Sequence, residues 1–396
     1  MHAHICSPTI LDLGPHLPWE EPLSEWHESL CVTVPRGISR NLVRFIVLSD
    51  RLLALKEVPE RVAEREYQLL RGLNEAGLPV VQPVALLSDR GSRAPFGLLV
   101  TQFLEFCLPY RMLFSQSEMD AGKLLDSMVQ LLVRLHLGGF YWGDCSLSNT
   151  LFLRDAGGFA AYLVDAETGE LHDNISDGMR LYDVGQAQEN IAGELLDLAA
   201  QGNLPESTDP FEIADAFATR YHLLWAELNR DEVFARDESF RIASRVKMLN
   251  ELGYHVEEVE LFTSEGGHRV RMRPRVVEHG YHRRRLHNLT GLQAEQNQSI
   301  ELLNDLQRFH ASHSESAAPL SLSAYRWLTE RYQSTLDNIP QHLRRKLTEP
   351  EIYVQILEHR WLLSEAAQCD VGRDATIQSY LEAILAPMPD RVLITT

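Results

Sequence analysis

The chain has 396 residues, a formal net charge of −19 at pH 7, and 44% hydrophobic and 23% charged residues. This length predicts about two or three packed units with the composition of an ordinary globular protein. The acidic balance argues against general nucleic-acid binding, because a phosphate backbone repels such a surface. No apolar run reaches the roughly 18 residues that a membrane-spanning helix needs, so no membrane span is expected.

The N-terminus has neither the basic start nor the apolar stretch of a signal peptide. The five cysteines are scattered, and no two of them have the spacing of a metal-ligand pair. These features predict a reduced, cytoplasmic protein. His2, His4 and Cys6 could bind a metal, but a disordered, exposed terminus is the favoured interpretation. Cys145 is interpreted as a small packed residue, since no histidine lies near it in the sequence.

The first hundred residues predict strands and one helix. Strands are expected at residues 30–34, 42–48, 52–56 and 96–106. Pro59 fits the first turn of a helix, where its missing N–H has no partner to lose. This helix should extend to about residue 73 and stop before Pro79.

From residue 120 the pattern becomes helical. One apolar stripe is formed by Leu124, Leu125, Met128, Leu131, Leu132 and Leu135. Gly138 should end this helix, and two short strands are expected at residues 151–153 and 162–164. Further helices are predicted at residues 190–200 and 210–230.

Beyond about residue 245 the sequence predicts a hairpin followed by helices. The hairpin strands are expected at residues 255–262 and 268–277, on either side of a Gly-Gly turn. The expected helices cover residues 293–308, 323–336, 349–367 and 376–385. The Ser- and Ala-rich residues 312–319 are interpreted as an exposed loop.

Several residues occur in the order that phosphoryl transfer requires. This chemistry uses a lysine on the phosphates, a glutamate that orients the lysine, a base for the attacking hydroxyl, and an amide and a carboxylate on magnesium. Lys56 ends a predicted strand. Asp144 and Asn149 have the D-x-x-x-x-N spacing of kinase catalytic loops. Asp165 follows the next apolar strand, where a second magnesium ligand would face the same cleft.

Helical phase selects the partner of Lys56. Val62 and Leu69 belong to the apolar stripe of the helix after Pro59, and Glu66 lies within that stripe. Glu64 points to the opposite side. A carboxylate on a buried face needs a partner, so Glu66 is expected to pair with Lys56.

These residues resemble the protein-kinase-like superfamily, and its bacterial lipopolysaccharide-core sugar kinases and small-molecule kinases more than eukaryotic protein kinases. Gly143 and Asp144 resemble the G-D of aminoglycoside-phosphotransferase-like loops. Residues 164–167 (V-D-A-E) resemble I-D-W-E more than D-F-G. The whole chain resembles a bacterial family of unknown function, labelled lipopolysaccharide-kinase-like, in which a catalytic half precedes an uncharacterised C-terminal domain.

The resemblance implies an α+β fold class, with a bilobal protein-kinase-like fold followed by a mostly helical C-terminal domain with a β-hairpin. The expected N-lobe covers residues 20–105, the C-lobe residues 106–245, and the C-terminal domain residues 246–390. ATP and Mg²⁺ are the implied cofactors. In the implied roles, Asp144 is the catalytic base, Lys56 and Glu66 bind the nucleotide, and the metal is held by Asn149 and Asp165.

The expected activity is ATP- and magnesium-dependent phosphoryl transfer to a hydroxyl of an unidentified acceptor, for which a sugar or lipid-linked sugar is one option. The alternative is a pseudokinase that binds nucleotide as a scaffold or sensor. Departures from the kinase pattern motivate this alternative. Trp142 replaces the usual catalytic-loop histidine, so the hydrogen bonding of that histidine is expected to be absent. Ala166 and Glu167 replace Phe-Gly, and the phosphate loop has one glycine, Gly37.

Seven arginines and a single acid lie between Arg269 and Arg285. Alternation places Arg269, Arg271, Arg273 and Arg275 on one face of a strand. A basic face paired with the protein's own acids is one interpretation. The other is a site for an anionic ligand, since arginine forks match phosphate. A nucleic-acid contact is a third reading, to be tested by its salt dependence.

Overall fold

A computed structural model describes residues 2–5, 17–34, 41–48, 51–114, 120–229, 232–235, 259–263, 269–274, 280–313 and 320–389. The chain divides into two compact units. The first contains Met1–Phe152, Ala161–Val277 and Val392–Thr396, and the second contains Leu153–Ala160 and Glu278–Arg391. Among the described residues, no helix combines the length and the apolar character needed to cross a bilayer.

The first unit begins with a five-stranded antiparallel sheet. Its strands are β1 (His2–Ile5), β2 (Leu42–Leu48), β3 (Arg51–Pro59), β4 (Pro83–Ser88) and β5 (Phe96–Gln102), in the order β1-β4-β5-β3-β2. The expected strand at 42–48 is present with the same bounds. The expectation of a disordered N-terminus is wrong, because His2–Ile5 pairs with β4.

The prediction of a strand at residues 30–34 is wrong. A short 3-10 helix, Glu28–Leu30, occupies its start, and the Val32 N–H donates to the Phe45 carbonyl oxygen at 2.7 Å. Residues before this 3-10 helix pack against the sheet. Trp19, Leu23 and Trp26 are buried in one core cluster with sheet residues that include Leu53 and Leu55. Burial of aromatic and aliphatic surface there stabilises the sheet.

Helix α1 (Glu60–Glu75) packs against strands β3, β4 and β5. Its buried residues include Ala63, Tyr67 and Leu70, which recur at helical spacing. Gly97 on β5 permits the close approach, because a Cβ atom there would lie 2.9 Å from the Ala63 Cβ. The helix therefore has a fixed rotation relative to the sheet, which determines where its polar residues point.

The remainder of the first unit is mainly helical. Its helices are α2 (Tyr110–Phe114), α3 (Ala121–Leu137), α4 (Asp177–Ala200) and α5 (Pro210–Asn229). Short strands lie between α3 and α4: β6 (Phe140–Tyr141), β7 (Thr150–Asp155), β8 (Gly158–Leu163) and β9 (Glu170–Leu171). Helix α4 starts well before the predicted residue 190, because the Ser176 side chain caps it by accepting the Met179 N–H.

The arginine-rich hairpin is present, with an additional strand. Strands β10 (Glu232–Ala235), β11 (Val259–Thr263) and β12 (Arg269–Pro274) form an antiparallel sheet in the order β10-β12-β11. Strand β10 is not predicted by the sequence analysis. The predicted turn at residues 265–267 and Arg275 lie outside the described residues.

The second unit is built from helices, as the sequence predicts. The longer helices are Tyr281–Thr290, Gln296–His313, Leu320–Trp327, Glu349–Ala367 and Arg373–Tyr380. Glu349–Ala367 has the predicted bounds, whereas Tyr281–Thr290 is not predicted as a helix. The core of the second unit includes the buried side chains of Leu306, Trp327, Tyr353 and Tyr380. The α+β class with a mostly helical C-terminal part is confirmed. Residues 314–319 of the predicted loop lie outside the described residues.

Candidate active site

Lys56 lies at the centre of a cluster of carboxylates. Its Nζ atom is 2.9 Å from Glu66 Oε2, 2.7 Å from Asp165 Oδ2 and 3.2 Å from Glu167 Oε2. Strand β3 carries the lysine and helix α1 carries Glu66. The contact that helical phase predicts is therefore present, and Glu64 is exposed. The structure brings Lys56, Glu66 and Asp165 together.

Burial and charge shift the titration of this cluster. Glu66 is 1% exposed, and burial together with the nearby Asp165 carboxylate raises its pKa to about 7. Glu66 and Asp165 raise the pKa of Lys56 above its ordinary value, although burial opposes this. The lysine is thus held as a cation whose direction is set by two carboxylates.

Both oxygens of the Asp144 carboxylate are held by side-chain amides. Asn149 Nδ2 donates to Asp144 Oδ2 at 3.1 Å and to the Asp144 carbonyl oxygen at 3.0 Å. Asn190 Nδ2, on helix α4, donates to Asp144 Oδ1 at 3.1 Å and to the Cys145 carbonyl oxygen at 3.1 Å. Two amides therefore fix the direction of this carboxylate.

Residues 143–149, named the catalytic loop here for their D-x-x-x-x-N spacing alone, are anchored at their start by Asp183 of helix α4. Its carboxylate is fully buried and accepts the Trp142 N–H at 2.8 Å and the Gly143 N–H at 2.9 Å. His136 Nε2 lies 3.0 Å from the same carboxylate, and its Nδ1 lies 2.5 Å from the Tyr221 hydroxyl. Gly143 has a φ of +75°, in the left-handed region that favours glycine. This sharp bend places Asp144 directly after the anchor.

Trp142 makes a hydrogen bond of its own to the segment that carries Asp165. The hydrogen bonding of the usual histidine was expected to be absent here, and the indole supplies a different hydrogen bond in its place. The indole Nε1–H donates to the Asp165 carbonyl oxygen at 3.0 Å, and the side chain is fully buried. Trp142 thus links the catalytic loop to the segment that carries Asp165.

We expect Trp142→Phe to lower the free energy of unfolding by about 1–3 kcal/mol, because the Asp165 carbonyl oxygen loses its indole donor and the smaller ring underfills a fully buried site. Chemical denaturation measures this change. Trp361→Phe is the matched control, since Trp361 is 61% exposed. Its effect should stay within about 0.5 kcal/mol. Equal destabilisation by the two substitutions would contradict the assignment.

The end of the catalytic loop is anchored by Glu194. Its carboxylate accepts the Leu147 N–H at 2.8 Å and the Ser148 N–H at 3.1 Å. Cys145 is fully buried, and burial raises the pKa of its thiol well above the ordinary value. A buried thiol with a raised pKa is a poor nucleophile, so Cys145 acts as a packed residue.

Glu167 takes part in the site, although no role was predicted for it from the sequence. It accepts a hydrogen bond from Asn41 Nδ2 at 3.1 Å as well as contacting Lys56. Carboxylate oxygens of Glu66, Asp165 and Glu167 lie within 4.8 Å of one another. A divalent cation favours such an oxygen-rich group.

These residues surround a cavity of about 640 Å³. Its apolar lining includes Val43, Ala54, Val81, Leu104, Leu151 and Val164. Its polar lining includes Lys56, Asp144, Asn149, Asp165, Glu167 and Asn190. Lys56, Asp144, Asn149 and Asp165 therefore face one cavity. Glu66 contributes by holding Lys56.

Asp183, Asn190 and Glu194 hold the loop that carries Asp144 and Asn149, and no role was predicted for them from the sequence. All three lie on helix α4, at positions i, i+7 and i+11, and so share one face. That spacing was the available signal. The helix was predicted to begin only at residue 190, so Asp183 fell outside it and the spacing of the three residues was not recognised.

The arginine-rich residues 269–285 were given two main interpretations, pairing with the protein's own acids or binding of an anionic ligand. Arg269, Arg271 and Arg273 belong to strand β12. Arg283, on the helix Tyr281–Thr290, lies 3.8 Å from Glu295. This ion pair belongs to the interpretation in which arginines pair with the protein's own acids. The anionic ligand at residues 269–285 stays a prediction.

Comparison with known proteins divides the chain in two. Residues 47–180 match the model of the lipopolysaccharide kinase (Kdo/WaaP) family, and residues 223–385 match a domain of unknown function, DUF4032. A solved structure titled "WaaP in complex with acyl carrier protein" is 17% identical, with 64% of this chain and 99% of that chain covered and a TM-score of 0.38. No curated protein matches. The family match of residues 47–180 confirms the prediction of a kinase in the N-terminal part.

Proposed function

We propose that the first unit binds ATP with Mg²⁺ and transfers the γ-phosphoryl group to a hydroxyl of an acceptor. The observation that supports this most is the convergence of Lys56, Asp144, Asn149 and Asp165 on one cavity. These are the residue types that phosphoryl transfer uses to position phosphates, a base and a metal. The match of residues 47–180 to a kinase family supports the same reaction class.

The nucleotide would use both parts of the cavity lining. Apolar side chains such as Val43, Ala54 and Val164 suit the flat purine ring. Lys56 would contact the phosphates as a cation, and its contact with Glu66 prevents it from swinging away. A preorganised charge of this kind stabilises the transition state without reorganising during the reaction.

The donor set fits a hard divalent cation. Asp165 and Asn149 would hold the metal, since carboxylate and amide oxygens are the ligands that Mg²⁺ prefers. Asn149 uses its Nδ2 group to bind Asp144, which leaves the amide oxygen as its metal-binding atom. When bound, the ion neutralises charge on the phosphates.

Asp144 would act on the acceptor. Its carboxylate, directed by Asn149 and Asn190, would accept the proton of the attacking hydroxyl. The hydroxyl oxygen forms the new bond to the γ-phosphorus, and the bond from that phosphorus to the bridging oxygen of ADP breaks. A sugar hydroxyl is the acceptor class that we propose, on the strength of the family match.

The test combines binding with turnover. Calorimetry should show nucleotide binding that strengthens with Mg²⁺, and labelled ATP should transfer phosphate to a member of a panel of free and lipid-linked sugars. Binding without transfer to any acceptor in the panel would favour the nucleotide-binding scaffold. Absence of nucleotide binding would contradict both functions.

A further inference from the structure

The hairpin formed by β7 and β8 directly connects the two proposed metal ligands. Asn149 precedes its first residue, and Asp165 follows two residues after its last. Its base is fixed inside the first unit. The Val164 N–H donates to the Asn149 carbonyl oxygen at 3.1 Å, and the Leu108 N–H donates to that of Phe152 at 2.7 Å. The position of both ligands therefore depends on this hairpin.

The tip of the hairpin, Leu153–Ala160, is part of the second unit. The Asp155 carboxylate is 2% exposed and accepts the Asn297 N–H at 3.1 Å and the Gln298 N–H at 2.8 Å. These amides belong to the first turn of the helix Gln296–His313, so Asp155 satisfies donors that the helix leaves unpaired. Gln298 Nε2 donates in turn to the Arg154 carbonyl oxygen at 3.0 Å.

A second buried carboxylate, Glu351, also holds the tip. Its Oε2 atom accepts the Ala156 N–H at 3.1 Å and Gln298 Nε2 at 2.7 Å. Glu351 is 2% exposed. Burial and the nearby acids Glu295 and Glu351 raise the pKa of Asp155 to about 7. Such a concentration of buried polar groups is costly unless every group is paired, which favours a single arrangement of the tip.

The turn at the tip is one that its own sequence supports poorly. The two central residues, Ala156 and Gly157, both have positive φ, of +49° and +77°. Two-residue hairpin turns of this kind favour Asn-Gly or Gly-Gly, because a Cβ atom makes the left-handed region unfavourable. A two-stranded hairpin is also only marginally stable alone. The hydrogen bond from Ala156 to Glu351 therefore stabilises a conformation that the turn does not favour by itself.

We propose that the second unit, most of which matches the domain of unknown function, positions the metal ligands of the first by holding this hairpin. Gln298 and Glu351 are its positioning residues, since they bind the tip and not the metal. The proposal rests on the proposed function, in which Asn149 and Asp165 are the metal ligands. Loosening the tip frees the hairpin, and the spacing of the ligands at its base becomes less well defined.

The test uses Glu351→Ala in the full chain. We expect about tenfold weaker binding of a non-hydrolysable ATP analogue in the presence of Mg²⁺, with unchanged binding in its absence, measured by calorimetry. Glu365→Ala is the matched control, because Glu365 is an exposed residue of the same helix. Glu351→Gln, which keeps the side-chain shape, replaces the alanine variant if that one does not fold.

A rescue experiment separates positioning from general stability. Adding Ala156→Gly to Glu351→Ala relieves the positive φ and should restore much of the magnesium-dependent affinity. Hydrogen exchange at residues 149–152 and 163–165 should rise in Glu351→Ala and fall again in the double variant. Wild-type affinity and exchange in Glu351→Ala would overturn the proposal. Lack of magnesium-dependent binding by the wild type would contradict the proposed function, and the exchange data would still decide whether the second unit holds the hairpin.

Discussion

Asp165→Asn is expected to weaken magnesium-dependent nucleotide binding by about 100-fold, while nucleotide binding without metal changes little. The substitution removes a carboxylate from the proposed metal site and keeps the side-chain volume. The fold should survive, because Asp165 is 29% exposed at its side chain and Lys56 keeps its contact with Glu66. Calorimetric titrations with and without Mg²⁺ measure the two affinities.

Asp173→Asn provides the control for this substitution. Asp173 is an exposed aspartate eight positions further along the chain and lies outside the cavity lining. Its replacement makes the same change of charge and should leave the magnesium dependence at the wild-type value. If Asp165→Asn retains that dependence, Asp165 is not a metal ligand, and another carboxylate, such as Glu167, takes the role.

Asp144→Asn should reduce phosphoryl transfer by about 100- to 10,000-fold, because an amide cannot accept the proton of the attacking hydroxyl. Binding of magnesium and nucleotide should remain close to wild type, since neither is assigned to Asp144. Transfer from labelled ATP, compared with calorimetric affinity, measures the two effects separately. Lys56→Met should show the reverse pattern. Its main effect should be a loss of nucleotide affinity, because Lys56 is assigned to the phosphates.

The comparison between these variants also distinguishes an enzyme from a scaffold. A scaffold has no need of a base, so Asp144→Asn would leave every measured property of a scaffold unchanged. Loss of nucleotide binding in Asp144→Asn would instead mean that the carboxylate organises the loop. Either Asn149 or Asn190 would then have lost the side-chain oxygen that it binds, because the amide of the variant keeps a single oxygen.

Local patterns were sufficient to predict much of the site. Lys56 follows the apolar run of residues 52–55, and helical phase distinguishes Glu66 from Glu64. The contact between Lys56 and Glu66 therefore follows from two elements that are adjacent in sequence. The D-x-x-x-x-N spacing identifies Asp144 and Asn149, whose side chains hydrogen bond within one loop. Each of these inferences depends on a periodicity or a spacing of only a few residues.

Other features depend on contacts between distant parts of the chain. The Trp142 indole reaches the Asp165 carbonyl oxygen 23 residues away, and no sequence periodicity encodes that hydrogen bond. The strand expected at residues 30–34 is not formed, because a 3-10 helix, Glu28–Leu30, occupies its start. Asp155 binds an amide 143 residues along the chain. Pairings of this kind are decided by packing, which single-sequence patterns do not contain.

The interleaving of the two units limits how this protein can evolve. The tip residues Leu153–Ala160 are separated in sequence from the rest of their unit, which begins at Glu278. A recombination event that exchanged the C-terminal half would leave Asp155 facing a foreign helix. The Asp155 carboxylate would lose its two amide donors while it stays buried, which lowers the stability of the fold. We therefore expect tip and C-terminal helices to be inherited together, with compensating changes at Asp155, Gln298 and Glu351 across natural relatives.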